Sequence, residues 1–220
     1  MNLTLFDLDN TLLDGDSDYE WGRFLIDRGV VERDAYEAQN AAFYEQYKAG
    51  SLDIHEFLGF ALRPLANHSD AELAAWRAQF VAERVQPMIG DKARALVRGH
   101  LEAGDLCAIV TATNSFVTAP IAREFSVPHL LATEPERAAG RYTGRVQGTP
   151  CFREGKIERV QAWLAGLGQR LEGFAQSSFY SDSHNDIPLL ERVSRPVAVD
   201  ADKQLRALAR ARGWAMISLR

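Results

Sequence analysis

The segment Leu3–Thr11, with the sequence LTLFDLDNT, joins four strand-forming residues to a polar turn. Residues 3–6 have the pattern of a short buried strand, and aspartates follow at positions 7 and 9. Asp7 and Asp9 lie two residues apart, so in an extended chain both carboxylates point to the same side. We therefore predict a buried first strand that ends in a pair of carboxylates.

Beyond residue 87, short apolar runs alternate with segments of helical periodicity. Such alternation predicts a parallel sheet that is covered by helices on both faces. The predicted fold is α/β, a Rossmann-like, doubly wound and mostly parallel sheet. The predicted strands are 106–110, 129–132, 178–180, 196–199 and 214–218, and the predicted helices are 91–103, 116–125, 153–167, 188–193 and 203–212. Residues 140–148 are predicted to form a hairpin or an excursion at the edge of the sheet.

A helical segment interrupts this pattern directly after the first strand. Residues 19–83 lack strand-like runs and predict four helices. Ser69 and Glu72 have the spacing of a capping box, and Asp53 is placed to cap the preceding helix. We predict an α/β core from residues 1–14 and 87–220, with residues 15–86 as an inserted helical domain.

Composition excludes several classes of protein. The 220 residues are 46% hydrophobic and 25% charged, which is typical of a globular chain, and the net charge is −5. We expect no nucleic acid partner, because a mildly acidic chain lacks the basic surface for it. No apolar run approaches the length of a membrane span, and the N-terminus lacks the features of a signal peptide. With only two cysteines, we expect a reduced cytoplasmic protein.

Polar residues follow three predicted strands, at positions 7–11, 111–114 and 181–186, and Lys156 begins a helix. Ligands of open parallel sheets bind beyond the carboxyl ends of the strands, where these segments meet. Four aspartates in one pocket repel each other unless a cation binds, and Mg²⁺ suits oxygen ligands best. The simpler interpretations are aspartates in turns and caps, Thr111 as a helix cap, and Lys156 as a surface lysine.

The ordered set of motifs resembles the haloacid dehalogenase superfamily. Residues 7–11, DLDNT, are similar to its first motif, and Thr111 after an apolar strand to its second. Lys156 is similar to the third motif, and residues 181–186, SDSHND, to the fourth. The inserted helices resemble the C1 cap, and the phosphoserine-phosphatase-like branch is the most similar. The resemblance implies a phosphatase acting on a small phosphorylated metabolite.

The resemblance also implies a role for each motif residue. Asp7 would be the nucleophile that forms an aspartyl phosphate, and Asp9 the general acid and base. Thr111 and Lys156 would hold the phosphoryl oxygens. Mg²⁺ would be bound by the Asp7 carboxylate, the Asp9 backbone carbonyl and Asp182.

Three further residues are implied around this centre. Asp186 would hold Lys156 or a metal-bound water, and Asn185 would contact phosphate or substrate. Asp16, nine residues after Asp7, would bind a substrate amine, or else cap the next helix. No arginine lies between Arg33 and Arg63, where relatives use one for a substrate carboxylate.

These features leave phosphoserine and histidinol phosphate as the leading substrates. The second and fourth motifs also depart from the branch pattern, with Ala112 and Thr113 in place of glycines and serines flanking Asp182. A phosphotransferase of the same fold remains open, as does a receiver-like phospho-acceptor domain. No membrane partner is expected, and the oligomeric state stays undetermined.

Overall fold

The computed structural model describes all 220 residues and contains one seven-stranded sheet. The strand order is β4-β3-β2-β1-β5-β6-β7. Every pairing is parallel except β3 with β4, which confirms the predicted α/β fold with a mostly parallel sheet. The strands are β1 (Leu3–Phe6), β2 (Leu106–Asn114), β3 (His129–Ala138), β4 (Arg141–Gln147), β5 (Ser177–Ser181), β6 (Arg195–Val199) and β7 (Ala215–Ile217).

Strand β1 lies at the centre of the sheet, between β2 and β5. Phe6 is in register with Ile109 on one side and with Tyr180 on the other. The strand order changes direction at β1, and a crevice opens there beyond the carboxyl ends of the three strands. The topology therefore brings the segments that follow β1, β2 and β5 to one place.

Ten α-helices accompany the sheet, and five of them lie between β1 and β2 before α6. The prediction of four helices, with a break from Pro64 to Ser69, was wrong because a separate short helix, Arg63–Asn67, has Pro64 in its first turn. The helices are α1 (Ser17–Asp27), α2 (Arg33–Ala49), α3 (Ile54–Ala61), α4 (Arg63–Asn67), α5 (Asp70–Phe80), α6 (Asp91–Glu102), α7 (Ser115–Glu124), α8 (Glu154–Gly166), α9 (Ile187–Leu190) and α10 (Lys203–Arg212).

Local capping chemistry sets several of these helix starts. Ser69 and Glu72 form the predicted capping box at α5. The side chain of Asp53 accepts hydrogen bonds from the backbone N–H groups of His55 and Glu56, as expected for the cap of α3. These two caps were readable from sequence because each involves residues within one helical turn.

Two strands extend further than their apolar patterns predict. β2 continues to Asn114, which pairs with Thr133 of β3. β3 continues to Ala138, because it pairs with β4 in an antiparallel hairpin beyond the apolar run. The segment 140–148 is therefore not a hairpin by itself, and its strand β4 lies at the edge of the sheet, as the other expectation had it. An apolar run reveals the part of a strand that is buried on both faces. The hairpin is more exposed and its residues are more polar, so an apolar pattern does not reveal it.

The two faces of the sheet carry separate apolar clusters. One contains Leu5 and Phe179 and packs under α8, α9 and α10. The other contains Phe6 and Ile109 and continues into α1, α3, α4 and α5 of the inserted segment, with Trp21 among its members. A third, smaller cluster is built mainly from α2, α3 and the loop between them. We propose that residues 15–86 form the cap domain, although part of it shares the core of the sheet.

None of the helices combines the length with the apolar composition that a membrane crossing requires.

Candidate active site

A cavity opens where the carboxyl ends of β1, β2 and β5 meet the inserted helices. Its empty volume is about 660 Å³, part of which is open to solvent. Asp182 lies beside this cavity and is joined to it through Thr11. The other site residues expected from sequence all line the cavity: Asp7, Asp9, Asp16, Thr111, Lys156, Asn185 and Asp186.

Lys156 is a buried lysine in the first turn of α8 with two carboxylate partners. Its Nζ donates to Asp7 Oδ1 at 2.8 Å and to Asp186 Oδ2 at 2.7 Å. Burial alone lowers the pKa of Lys156, but the charges of Asp186 and Asp7 outweigh burial and raise it. The interpretation of Lys156 as a surface lysine was therefore wrong, and the residue is held as a cation.

Close packing of the backbone brings Lys156 to this position. Gly155 precedes it, and a Cβ at that position would lie 2.1 Å from the carbonyl oxygen of Pro150. Only glycine permits this approach. Arg153 adopts a positive φ of 50° at the start of the same helix. The turn into α8 is thus a tight one, and it points the lysine at β1.

Thr11 joins Asp7 to Asp182. Its Oγ1 lies 3.0 Å from Asp7 Oδ2 and 3.0 Å from Asp182 Oδ1, and the N–H of Asp182 donates to the same oxygen at 3.0 Å. One hydroxyl proton serves only one of the two carboxylates at a time. The other carboxylate receives no hydrogen bond from Thr11, so Asp7 and Asp182 repel each other.

Asp9 is held from both sides. Its Oδ1 accepts from the Ser17 N–H at 2.6 Å, and its Oδ2 accepts from Thr113 Oγ1 at 2.8 Å. Burial raises the pKa of Asp9 above its ordinary value, against the lowering effect of the Ser17 bonds. Thr111 Oγ1 lies 3.4 Å from the same carboxylate oxygen. Thr111 does not cap α7, since Asn114 takes that position and accepts from the Val117 N–H.

Asp16 caps the next helix, which is one of the two roles that the sequence allowed, and its binding of a substrate amine stays a prediction. Its Oδ1 accepts from the N–H groups of Asp18 and Tyr19, which makes it the N-cap of α1, and its side chain also lines the cavity. Burial, together with the charge of Asp9, raises the pKa of Asp16 to about 7.

Asn185 links the core to the inserted helices. Its Nδ2 donates to the carbonyl oxygen of Tyr47 at 3.1 Å, and its Oδ1 accepts from Arg153 Nε at 3.1 Å. Arg153 also donates to the carbonyl oxygen of Gly50 at the end of α2. His184 makes no contact with the cavity, and its Nδ1 is 2.7 Å from Asp202 Oδ2.

The site holds far more negative than positive charge. Burial and the charge of Asp7 raise the pKa of Asp182 well above its usual value, and burial raises that of Asp186 to about 6 although Lys156 opposes this. No three side chains of His, Cys, Asp or Glu are grouped so as to hold a metal by themselves. The expected ligands are two carboxylates and one carbonyl, an all-oxygen set that fits a hard divalent cation.

Comparison with known proteins settles the family. The model of the haloacid dehalogenase-like hydrolases matches residues 4–191. The chain belongs to the haloacid dehalogenase-like hydrolase family. A histidinol-phosphatase of Neisseria meningitidis is 44% identical over 220 residues, covering 100% of this chain and 99% of the relative. A phosphoserine phosphatase of Mycobacterium tuberculosis is 35% identical over 212 residues, covering 95% of this chain and 68% of the relative.

Solved structures of this hydrolase family have the same fold. A Bordetella pertussis protein of unknown function is 54% identical, with a TM-score of 0.95 over 100% of this chain and 99% of that one. A substrate-bound phosphoserine phosphatase has a TM-score of 0.71 at 17% identity, over 99% of this chain and 92% of that one. As the sequence resemblance implied, the chain is a hydrolase of the phosphatase type.

Sequence reasoning missed part of this hydrolase's site. Thr113 was not singled out, although its spacing of two from Thr111 on a strand places both on one side. Asp18 was missed because nothing in its neighbourhood distinguishes it from an ordinary acidic residue in a first helical turn. The aromatic walls of the cavity are Tyr19, Phe43, Tyr44, Tyr47, Phe57 and Phe152.

Proposed function

We propose that this chain is a magnesium-dependent phosphatase that hydrolyses a small phosphomonoester through an aspartyl phosphate on Asp7. The observation that carries this proposal is the setting of the Asp7 carboxylate. It lies on the floor of the cavity, bonded to Lys156 and Thr11 and close to Asp9. A carboxylate fixed beside a cation and a second acid has the surroundings that nucleophilic catalysis needs.

Two carboxylates divide the chemistry. An oxygen of Asp7 attacks phosphorus, and the bond from phosphorus to the ester oxygen breaks. Asp9 donates its proton to the leaving oxygen, and its raised pKa keeps that proton available. Asp9 then takes a proton from water, which attacks phosphorus, so that inorganic phosphate leaves and Asp7 is restored.

Thr111 and Lys156 bind the phosphoryl oxygens. A cation and a hydroxyl aimed at the transferred group stabilise the charge that it carries in the transition state. Asp186 acts through Lys156, since its bond to Nζ holds the lysine in place. Asn185 contacts the phosphate or the substrate from the side of α2.

The residues that would hold Mg²⁺ are Asp7 and Asp182, through their carboxylates, and Asp9 through its backbone carbonyl. The cation would offset the repulsion between the Asp7 carboxylate and an anionic phosphate ester. The charge balance of the site supports this assignment, because the one lysine of the cavity faces six carboxylates in and beside it.

Histidinol phosphate is the substrate that the cavity favours. Lys156 is its only positively charged lining residue, and both carboxylates paired with it are part of the catalytic centre. Lys48 lies outside, half-exposed and paired with Glu45. A substrate carboxylate, as in phosphoserine, would therefore find no cation, whereas an amine finds Asp16. The similarity to a named histidinol-phosphatase over the whole chain supports the same choice.

Phosphate release from a panel of esters tests the proposal. The panel contains histidinol phosphate, phosphoserine, phosphoethanolamine, a sugar phosphate and a nucleoside monophosphate, each with Mg²⁺ and with EDTA. We expect Mg²⁺-dependent release, the highest kcat/KM for histidinol phosphate, and a loss of at least about 1,000-fold in Asp7→Asn. Release that persists in Asp7→Asn would contradict the aspartyl-phosphate route.

Phosphoryl transfer to an acceptor hydroxyl uses the same groups and is the second candidate. Release of free phosphate without any acceptor separates hydrolysis from transfer. A stable phosphoprotein without turnover would instead point to a phospho-acceptor domain.

The two cysteines are buried and unpaired, which agrees with our expectation of a reducing, cytoplasmic compartment.

A further inference from the structure

Asp18 is a carboxylate of the cavity that no protein group satisfies. It is the second residue of α1, and its side chain lines the cavity beside Asp16. Asp9 and Asp16 both accept hydrogen bonds from backbone N–H groups of this turn. The carboxylate of Asp18 has neither a hydrogen bond nor an ion pair, and its charged neighbours are the like charges of Asp16 and Asp9.

The Asp18 side chain is half-buried in the wall of the cavity. Its carboxylate therefore loses part of its hydration and receives no hydrogen bond from the protein in return. Burial and the charges of Asp16 and Asp9 raise the pKa of Asp18 well above its usual value. An acid in the first turn of a helix interacts favourably with the helix dipole, but that effect is worth under about 1 kcal/mol.

The surroundings of Asp18 indicate what could satisfy it. The cavity walls are aromatic, and they include Tyr44, Phe43 and Phe57. Asn40 adds an amide, and one of the two N–H groups of its Nδ2 donates to the Tyr19 carbonyl. Aromatic faces attract cations and stack on planar rings. A planar, nitrogen-bearing group therefore fits both the walls and the free carboxylate.

We propose that Asp18 determines specificity by accepting a hydrogen bond from a second nitrogen-bearing group of the substrate. This inference rests on the proposed function and refines its substrate class. The substrate is a phosphate ester with an amine near the ester and a planar N–H heterocycle further away. Asp16 binds the amine, Asp18 binds a ring N–H, and the aromatic walls pack against the ring.

The test compares two esters in Asp18→Asn, which keeps the shape and removes the charge. Histidinol phosphate has both nitrogen groups, and p-nitrophenyl phosphate has neither. We expect the ratio of their kcat/KM values to fall at least tenfold, mainly through KM for histidinol phosphate. A ratio within twofold of that of the unmodified protein would overturn the inference, as would an equal loss for both esters.

A matched control comes from the same helical turn. Glu20 pairs with Arg23 and Arg84 and does not line the catalytic cavity. We expect Glu20→Gln to keep the ratio. If Asp18 served only the helix dipole, both variants would shift the unfolding midpoint and neither would change the ratio.

Binding separates this inference from the proposed function. Calorimetry with histidinol phosphate uses Asp7→Asn and the double variant Asp7→Asn/Asp18→Asn, neither of which needs turnover. We expect at least tenfold weaker binding in the double variant. If the double variant binds more weakly but the unmodified protein shows no turnover, the proposed phosphatase activity is wrong and the role of Asp18 stands. Equal binding by both variants, or no binding by either, would overturn the role of Asp18.

Discussion

Lys156 is buried between Asp7 and Asp186 and forms an ion pair with each of them. Breaking a buried ion pair from one side leaves an uncompensated charge, which costs about 3–5 kcal/mol. We expect Lys156→Met to lower the free energy of unfolding by about that amount and to abolish phosphate release. Urea unfolding monitored by fluorescence measures the first effect.

The double variant Lys156→Met/Asp186→Asn provides the matching comparison. It removes one of the two carboxylate charges that Lys156→Met leaves unpaired, so part of the lost stability should return while activity stays absent. Lys48→Met serves as the surface control, because Lys48 is half-exposed and contacts Glu45 and the ring of Tyr44 near the surface. A destabilisation equal to that of Lys48→Met would contradict the argument.

For individual residues, the sequence predicted which polar side chains meet in the site, but not which of them form pairs. Asp7, Asp9 and Lys156 belong to motifs, and motifs are local. The burial of Lys156 depends on partners 149 and 30 residues away, so no local pattern reveals it. Asp18 shows the same limit, since its lack of a partner exists only in the folded protein.

Helix α8 carries Lys156, and its first glycine decides where that lysine points. A methyl group on Gly155 would collide with the Pro150 carbonyl, while the same change at Gly166 meets nothing within 4 Å. We expect Gly155→Ala to lower stability by about 1–3 kcal/mol and to reduce kcat at least tenfold. Gly166→Ala should leave kcat unchanged and raise stability by up to about 1 kcal/mol. Thermal unfolding and the phosphate assay measure both, and equal behaviour of the two variants would contradict the prediction.

Helices and strands were predicted best where their signals are local. The capping box at Ser69 and the apolar run of β1 lie within a few residues, and both were found. The strand ends at Asn114 and Ala138 were missed, because backbone pairing with a neighbouring strand continues after the apolar pattern stops. The end of α3 was predicted from Pro64, but the short helix α4 that follows was missed.

Uncompensated negative charge is concentrated beyond the carboxyl ends of the central strands of the sheet. Asp182 faces Asp7 with a single hydroxyl proton between them, so a divalent cation there should stabilise the folded state. At a Mg²⁺ concentration of about 100 times Kd, binding adds about 2.7 kcal/mol, which for this size raises Tm by about 5–10 °C over EDTA. Calorimetry at constant ionic strength measures the shift.

Two outcomes bear on this expectation. Asp182→Asn should be at least as stable as the unmodified protein in EDTA, because one repelling charge is gone, and should lose most of the shift with Mg²⁺. A shift of equal size in Asp182→Asn would place the cation elsewhere. The alternation of strands and helices was enough to predict the sheet that gathers these charges, because topology follows from the order of elements.

The apolar clusters divide the inserted segment into two parts that differ in how well they tolerate amino-acid replacements during evolution. α1 holds Asp16 and Asp18 and shares its core with the sheet through Trp21, so most replacements on its inner face weaken folding. The small cluster of α2 and α3 contacts the α/β core through Phe152 and Ala112, and it contacts the larger cluster through Ile54 and Phe57. Relatives are therefore expected to diverge in substrate by reshaping the α2–α3 wall, while α1 keeps its acids.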